Sequence, residues 1–155
     1  DTPGFEPGRD LEWQGMIRHG GEMVHAYAAA TVPRVCVIVR KAYGGAYIVM
    51  DSKHMGSDVV LAWPGAEIAV MGARGAVAVL SRREIAEADD PVAARTRLEA
   101  EYQTQFCTPR IAAERGYVDE VIQPGDTRAR VTAAFSRLAT KRAELPARRH
   151  ANTPL

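Results

Sequence analysis

The stretch Arg34-Val35-Cys36-Val37-Ile38-Val39-Arg40-Lys41-Ala42-Tyr43-Gly44-Gly45-Ala46-Tyr47 decides how the rest of the chain is read. Apolar residues run without interruption from Val35 to Val39, in a segment too short for an ordinary helix and rich in β-branched side chains. Such a run reads as a strand over Arg34 to Arg40 buried on both faces, as in a parallel sheet. Lys41 to Ala46 then reads as a glycine turn entering a helix that continues to about Lys53. Glycines at a strand's end let the backbone approach a ligand closely. The first N–H groups of the following helix have no partner inside it, and with about half a unit of positive charge from the macrodipole they suit an oxyanion or a phosphate. For Gly44-Gly45 taken alone, a tight turn that merely packs is the plainer reading. The turn is not a Walker loop, because no Gly-Lys-Ser/Thr follows at the required spacing, and it lacks the third glycine of a dinucleotide fingerprint.

On the N-terminal side, Asp1 to Gly8 reads as a loop. From Asp10 to Ala30, Trp13, Met16, Ile17, Val24, Tyr27 and Ala28 recur at helical spacing, with Asp10 as N-cap and Pro33 beyond the end. Gly20-Gly21 inside that helix costs about 1 kcal/mol per glycine relative to Ala, which close packing against another backbone would offset. On the C-terminal side, Val59 to Trp63 and Glu67 to Val70 are strands separated by the turn Pro64-Gly65. A helix follows from Gly72 to about Arg83, with Ile85 to Asp90 as a surface link. Pro91 to Phe106 is the longest polar helix, with its proline in the first turn. Pro109 to Arg115 is a short helix stopped by Gly116, Val118 to Ile122 a short strand, and Asp126 to Arg142 a last helix with Val131, Phe135 and Leu138 on one face. Strands and helices alternating in this way imply an α/β layer architecture.

A chain of 155 residues, 46% apolar and 25% charged, fits one domain. Its net charge of +1 has no clustered basic footprint, so neither nucleic acid nor a membrane surface is the expected partner. Only the last stretch, Lys141-Arg142 and Arg148-Arg149, is locally basic, and it reads as a solvated tail. No apolar run approaches the roughly 18 residues of a membrane span. Cys36 and Cys107 match no metal or redox spacing, and Cys36 reads as a buried, inert thiol. A reducing, cytoplasmic location fits, although the chain opens at Asp1 without Met and a leader ahead of it would not be visible.

Ser52-Lys53-His54 offers a hydroxyl, an amine and an imidazole, but neighbours on a helix point in different directions. His19 and His25 share no helical face, His150 lies in the tail, and Glu99, Glu101, Asp89 and Asp90 read as solvated surface. No metal site is expected. Without a nucleophile or triad, the pattern favours backbone amides stabilising an enolate while a cofactor moves the proton.

Several stretches, in order along the whole chain, resemble the carboxyltransferase subunits of propionyl-CoA and acetyl-CoA carboxylases. They are Asp1-Thr2-Pro3-Gly4-Phe5-Glu6-Pro7-Gly8, Ile17-Arg18-His19-Gly20, Arg40-Lys41-Ala42-Tyr43-Gly44-Gly45-Ala46-Tyr47, Ser52-Lys53-His54 and Ala62-Trp63-Pro64. Ala66-Glu67-Ile68-Ala69-Val70-Met71-Gly72-Ala73, Ala113-Glu114-Arg115-Gly116-Tyr117-Val118-Asp119 and the ending Arg149 to Leu155 complete the set.

The resemblance implies an α/β fold of the crotonase-like (ClpP/crotonase) type, a spiral of β-β-α turns. It implies that this chain is a C-terminal portion of a carboxyltransferase domain, without the N-terminal acyl-CoA domain and the first turns of its own. The family site lies between the N-domain of one subunit and the C-domain of a neighbour, in a hexamer, so this chain is expected to supply the biotin side. There, CO2 passes from carboxybiotin, held on a separate carrier, to the α-carbon of acetyl-CoA or propionyl-CoA. The N–H groups of Gly45 and Ala46 match the pair that stabilises the biotin enolate, with Gly44, Tyr47, Ile48, Gly4 and Phe5 around the pocket. Biotin is the implied cofactor. The implied partners are the biotin carboxylase and biotin carrier subunit, acyl-CoA and further copies of the subunit. Ile48 stands where many propionyl-type members carry Asp, at a position that shapes acyl choice. The α-subunit of a biotin-dependent acyl-CoA decarboxylase remains an alternative, as does a non-catalytic assembly or carrier-docking module. The methylcrotonyl-type branch fits less well, because its glycine pattern differs.

Overall fold

The N-terminal residues take part in a sheet. In the computed structural model, which describes residues 1–147, Thr2 lies parallel beside Ala42. Its N–H donates to the Lys41 carbonyl at 2.6 Å, and its own carbonyl accepts from the Tyr43 N–H at 3.0 Å. The expected loop over Asp1 to Gly8 is therefore replaced at its start by a strand-like bridge. The resemblance over Arg149 to Leu155, and His150, lie outside the described residues.

The helix expected from Asp10 to Ala30 is two helices, α1 (Arg9–Trp13) and α2 (Met16–Ala29). The chain breaks at Gly15, which adopts φ 88°, a left-handed conformation that glycine enters without a Cβ penalty. Gly20-Gly21 continues the helix. A Cβ at Gly20 would lie 2.9 Å from the Phe5 ring, so this glycine admits an aromatic side chain, where a neighbouring backbone was expected.

The central stretch bends at Val39-Arg40 into two strands, β1 (Val35–Ile38) and β2 (Lys41–Tyr43). Residues expected to form the glycine turn, Lys41 to Tyr43, are thus a strand of their own. Next come α3 (Gly44–Val49), a 3-10 turn over Lys53–Met55, β3 (Val59–Ala62) and β4 (Glu67–Ala69). The chain continues through α4 (Ala73–Leu80), α5 (Arg82–Glu87), α6 (Pro91–Phe106), α7 (Pro109–Glu114), β5 (Glu120–Val121) and α8 (Thr127–Leu138).

Pairing explains the bend. A parallel sheet runs β1-β3-β5, with Val35 opposite Val59 and Leu61 opposite Glu120. A second parallel pair joins β2 to β4, with Ala42 opposite Ile68. Each β-β unit therefore gives one strand to each sheet before its helix returns, which is the expected β-β-α spiral. At the corner the Trp63 N–H reaches the Ile38 carbonyl at 2.9 Å, and the Glu67 N–H reaches the Arg40 carbonyl at 2.7 Å. β1 is an edge strand, so only Ile38 in it is fully buried, whereas β3 is buried from Val60 to Ala62. Val60 and Ala62 of β3 pack with Ile38, Ala42, Tyr47, Ala112 and Val118 in the core.

The expected surface link over Ile85 to Asp90 begins as helix α5, which buries Ile85. Asp90 caps α6, its carboxylate accepting from the N–H groups of Val92 and Ala93 at 3.0 Å. On α8 the buried residue is Ala134, whereas Phe135 is exposed. That helix is held at its ends: Trp63 Nε1 donates to Thr127 Oγ1 at 2.9 Å, and Lys141 Nζ lies 2.8 Å from Asp58 Oδ2.

Asp58 also accepts from the Arg34 N–H at 2.8 Å. Burial pushes its carboxyl up, but the Lys141 ammonium and the Arg34 N–H outweigh burial and hold it below the ordinary carboxylate value. A depressed acid favours the folded state above the unfolded pKa of about 3.9 and loses that contribution as pH falls through the folded value. Asp58→Asn should therefore lower unfolding free energy by about 1.5–3 kcal/mol at neutral pH. The difference should vanish in urea titrations run well below about pH 3.9; an equal loss at both pH values would refute the pairing.

Candidate functional site

Tyr43 leaves β2 extended, and the next residue reverses the backbone: Gly44 has φ 59°. A Cβ there would sit 2.9 Å from the Val70 carbonyl oxygen, so conformation and space both require glycine. α3 begins at this residue, and no side chain caps it. The first N–H groups of such a helix find no acceptor inside it, which leaves the amides of Gly44, Gly45 and Ala46 at its open end. A Cβ on Gly45 would meet nothing within 4 Å, so the space in front of it is clear.

That space is a cavity of about 500 Å³. Gly44, Gly45, Tyr47 and Ile48 of the α3 region line one side. Ile68, Ala69 and Val70 form the floor, and Tyr102, Phe106, Ile111, Ala112, Arg115 and Tyr117 close the far wall. The structure thus gathers Gly44, Gly45, Tyr47 and Ile48 at one cavity. Ala46 follows in the same turn with its side chain buried. Gly4 and Phe5 are not among the lining residues; Phe5 instead lies over Gly20 of α2. A wider hollow of about 680 Å³ between Pro64, Pro109 and Val121 contains none of the expected residues.

The walls are mostly apolar, and the side chains lining the cavity include no carboxylate. Arg115 and His54 are exposed at the rim. His54 stacks on Tyr117 with ring centroids 4.4 Å apart. Its neighbours turn elsewhere, as expected: Ser52 Oγ donates to the Ile48 carbonyl at 3.3 Å, and Lys53 Nζ lies 2.7 Å from Asp119. The Tyr47 hydroxyl is buried without a hydrogen-bond partner, and burial, with the nearby Cys36 sulfur, pushes its phenol up to about 12. It stays neutral. Cys36 is half-buried, short of the full burial expected, and desolvation still pushes its thiol up to about 11. Tyr43 Oη donates to Glu67, which also accepts from Gln103 Nε2 at 3.1 Å, so α6 is tied to both strands beneath it. Burial first, then Glu67, raises the Tyr43 phenol.

An apolar wall beside helix N–H groups favours negative charge that develops on a ligand oxygen, because donors fixed in place need no reorganisation. The far wall escaped the sequence reading. Tyr102 and Phe106 lie four apart on α6 with rings 5.0 Å apart, a spacing that signals a shared aromatic face. Arg115 and Tyr117 follow α7 and reach the cavity only through the fold.

The chain is similar to known proteins along its whole length. The chain is 57% identical over 159 residues to the propionyl-CoA carboxylase beta chain of Saccharopolyspora erythraea, covering 100% of this chain and 29% of that protein. It is 54% identical over 155 residues to methylmalonyl-CoA decarboxylase subunit alpha of Propionigenium modestum, covering 100% of this chain and 30% of that one. A crystal structure of transcarboxylase 12S, described as a hexamer assembly with methylmalonyl-CoA and methylmalonic acid bound, superposes with a TM-score of 0.94 at 53% identity. That match covers 100% of this chain and 30% of the 12S chain, so the chain spans less than a third of these relatives. The carboxyl transferase domain family matches residues 1–153, and with the crotonase-like spiral described above, the chain belongs to that family.

Proposed function

We propose that this chain is the biotin side of a carboxyltransferase that moves CO2 from carboxybiotin to the α-carbon of acetyl-CoA or propionyl-CoA. The observation that carries the reading is the α3 N-terminus, with Gly44 and Gly45 opening onto an apolar cavity. Clear space over Gly45 and an apolar wall suit a compact ring system that presents one polar oxygen to backbone donors. Bound there, biotin on a carrier brings the CO2 and the base that takes the acyl α-proton.

The chain's own part is electrostatic. The N–H groups of Gly45 and Ala46 would donate to the ureido oxygen of bound biotin, beside an apolar wall from Tyr102, Phe106 and Ile111. The acyl-CoA side would come from the N-terminal domain of a neighbouring subunit. Biotin carboxylase and a carrier subunit complete the proposed partners, in a hexamer like the one described for transcarboxylase 12S. Decarboxylation, running the same transfer in reverse, is a second reading, supported by 54% identity to a methylmalonyl-CoA decarboxylase alpha subunit.

Pro at position 46 deletes one donor in the first helical turn, where the N–H serves no helix bond. In the assembled enzyme, Ala46→Pro should lower kcat about 10²–10³-fold in a carboxyl-transfer assay; full activity would remove the amides from the mechanism. The isolated 155-residue chain should give no turnover until the N-terminal region is added. Turnover by the chain alone would show that both halves of the site are present in it.

Ile48 lines the cavity two residues past Ala46 and is 40% exposed. Ile48→Asp places a carboxylate against an apolar wall, where desolvation opposes its charge. The ratio of kcat/KM between acetyl-, propionyl- and butyryl-CoA should shift by about tenfold, the scale of one methylene in an apolar pocket. A uniform loss across all three substrates would assign Ile48 a supporting role and no part in acyl choice.

A further inference from the structure

We infer that Arg34 and Asp51 form a clamp that sets the direction of α3, making both of them positioning residues for the amides of Gly45 and Ala46. The inference rests on the carboxyltransferase reading. α3 is six residues long, and no side chain caps it. A helix this short does not hold its own orientation; its flanks must. Left-handed residues stand on both sides, Gly44 at φ 59° and Asp51 at φ 62°. Gly44 is pinned against the Val70 carbonyl.

Asp51 is pinned by charge. Its carboxylate lies 2.5 Å from Arg34 Nη1, with both side chains 10% exposed. Arg34 Nη2 donates to the carbonyls of Met55 at 3.1 Å and Gly56 at 2.6 Å. The same guanidinium therefore closes the whole turn that follows the helix. Arg34 is itself anchored at the mouth of the β1–β3 ladder, its N–H on Asp58 Oδ2 at 2.8 Å and its carbonyl accepting from Asp58 and Val59. The end of α3 remote from the cavity is thus tied to the start of the β1–β3 ladder. Helix N–H bonds lie along the helix axis, so a tilt at the remote end re-aims every donor at the cavity and swings Ile48 further still. No ligand contact by Arg34 or Asp51 is needed for this.

The test uses the assembled enzyme with its biotin carrier. Asp51→Gly keeps the left-handed turn but removes the carboxylate, and Arg34→Lys keeps the charge but cannot span the acceptors. A double variant, Arg34→Met with Asp51→Gly, removes the clamp without stranding a buried charge, which protects folding. In the double variant kcat should fall about tenfold or more, the scale of a small misplacement at a reacting centre. KM for acyl-CoA should stay within about twofold, since ground-state binding is untouched. Amide exchange should accelerate in residues 44–49 and stay unchanged in α6.

Wild-type kcat in the double variant, with Ala46→Pro inactive, overturns the clamp and leaves the carboxyltransferase reading standing. Full activity of Ala46→Pro overturns that reading and the clamp with it. Faster exchange in α6 as well means general loosening, and also overturns the positioning role.

Discussion

At Gly44 the backbone leaves β2, turns with φ 59° and begins a helix, and the Val70 carbonyl oxygen occupies the position where a side chain would start. Val70 directly follows β4, the strand paired with β2, so the contact is a product of the second sheet. Only because that pair is in register does α3 start where it does, with its open end toward the cavity. A left-handed φ costs an L-residue about 1 kcal/mol or more, but the blocked space is the harder constraint, since backbone cannot step aside.

The same sheet geometry brings distant segments to the site. Each β-β unit bends at a corner and passes one strand to each sheet, so the ends of β2 and β4 lie together. α6 reaches this corner through the Tyr43–Glu67–Gln103 network, which joins one helix to two strands by side-chain hydrogen bonds. The aromatic pair Tyr102 and Phe106 is thereby carried over the glycine turn. Polar contacts at the base hold an apolar wall above, and an apolar wall makes a few backbone dipoles effective.

Charge is handled differently at the two ends of α3. The cavity end is lined by backbone and apolar side chains, with Arg115 and His54 only at the rim. The remote end gathers Arg34, Asp51, Asp58 and Lys141 in ion pairs that are largely sheltered from water. Burial raises the Asp51 carboxyl even though the Arg34 guanidinium opposes it. Lys141, beyond α8, closes the same cluster.

Local chemistry was sufficient to read much of this from sequence. The apolar run from Val35 is a strand as far as Ile38, the glycine pair marks a backbone turn, and Pro91 starts a helix because its fixed φ suits the first turn, whereas Asp90, read as solvated surface, proves to be its cap. Those features, with the family's motifs, located Gly44, Gly45, Tyr47 and Ile48. Other features depend on partners remote in the chain. Lys41 to Tyr43 is a strand because Glu67 to Ala69 lies beside it, and Thr2 extends it for the same reason. The helix break falls at Gly15 and not at Gly20, because the Phe5 ring, brought in from the first residues, fills the space Gly20 leaves. Phe5 is correspondingly spent on α2, away from the cavity wall. Arg115 and Tyr117 carry no local sign of their place in the wall, because a wall is defined by what it faces. Sequence alone determined that the backbone turns at Gly44-Gly45; the tertiary structure decided where α3 starts and what encloses its first turn, since both come from contacts between segments that only the folded sheet brings together.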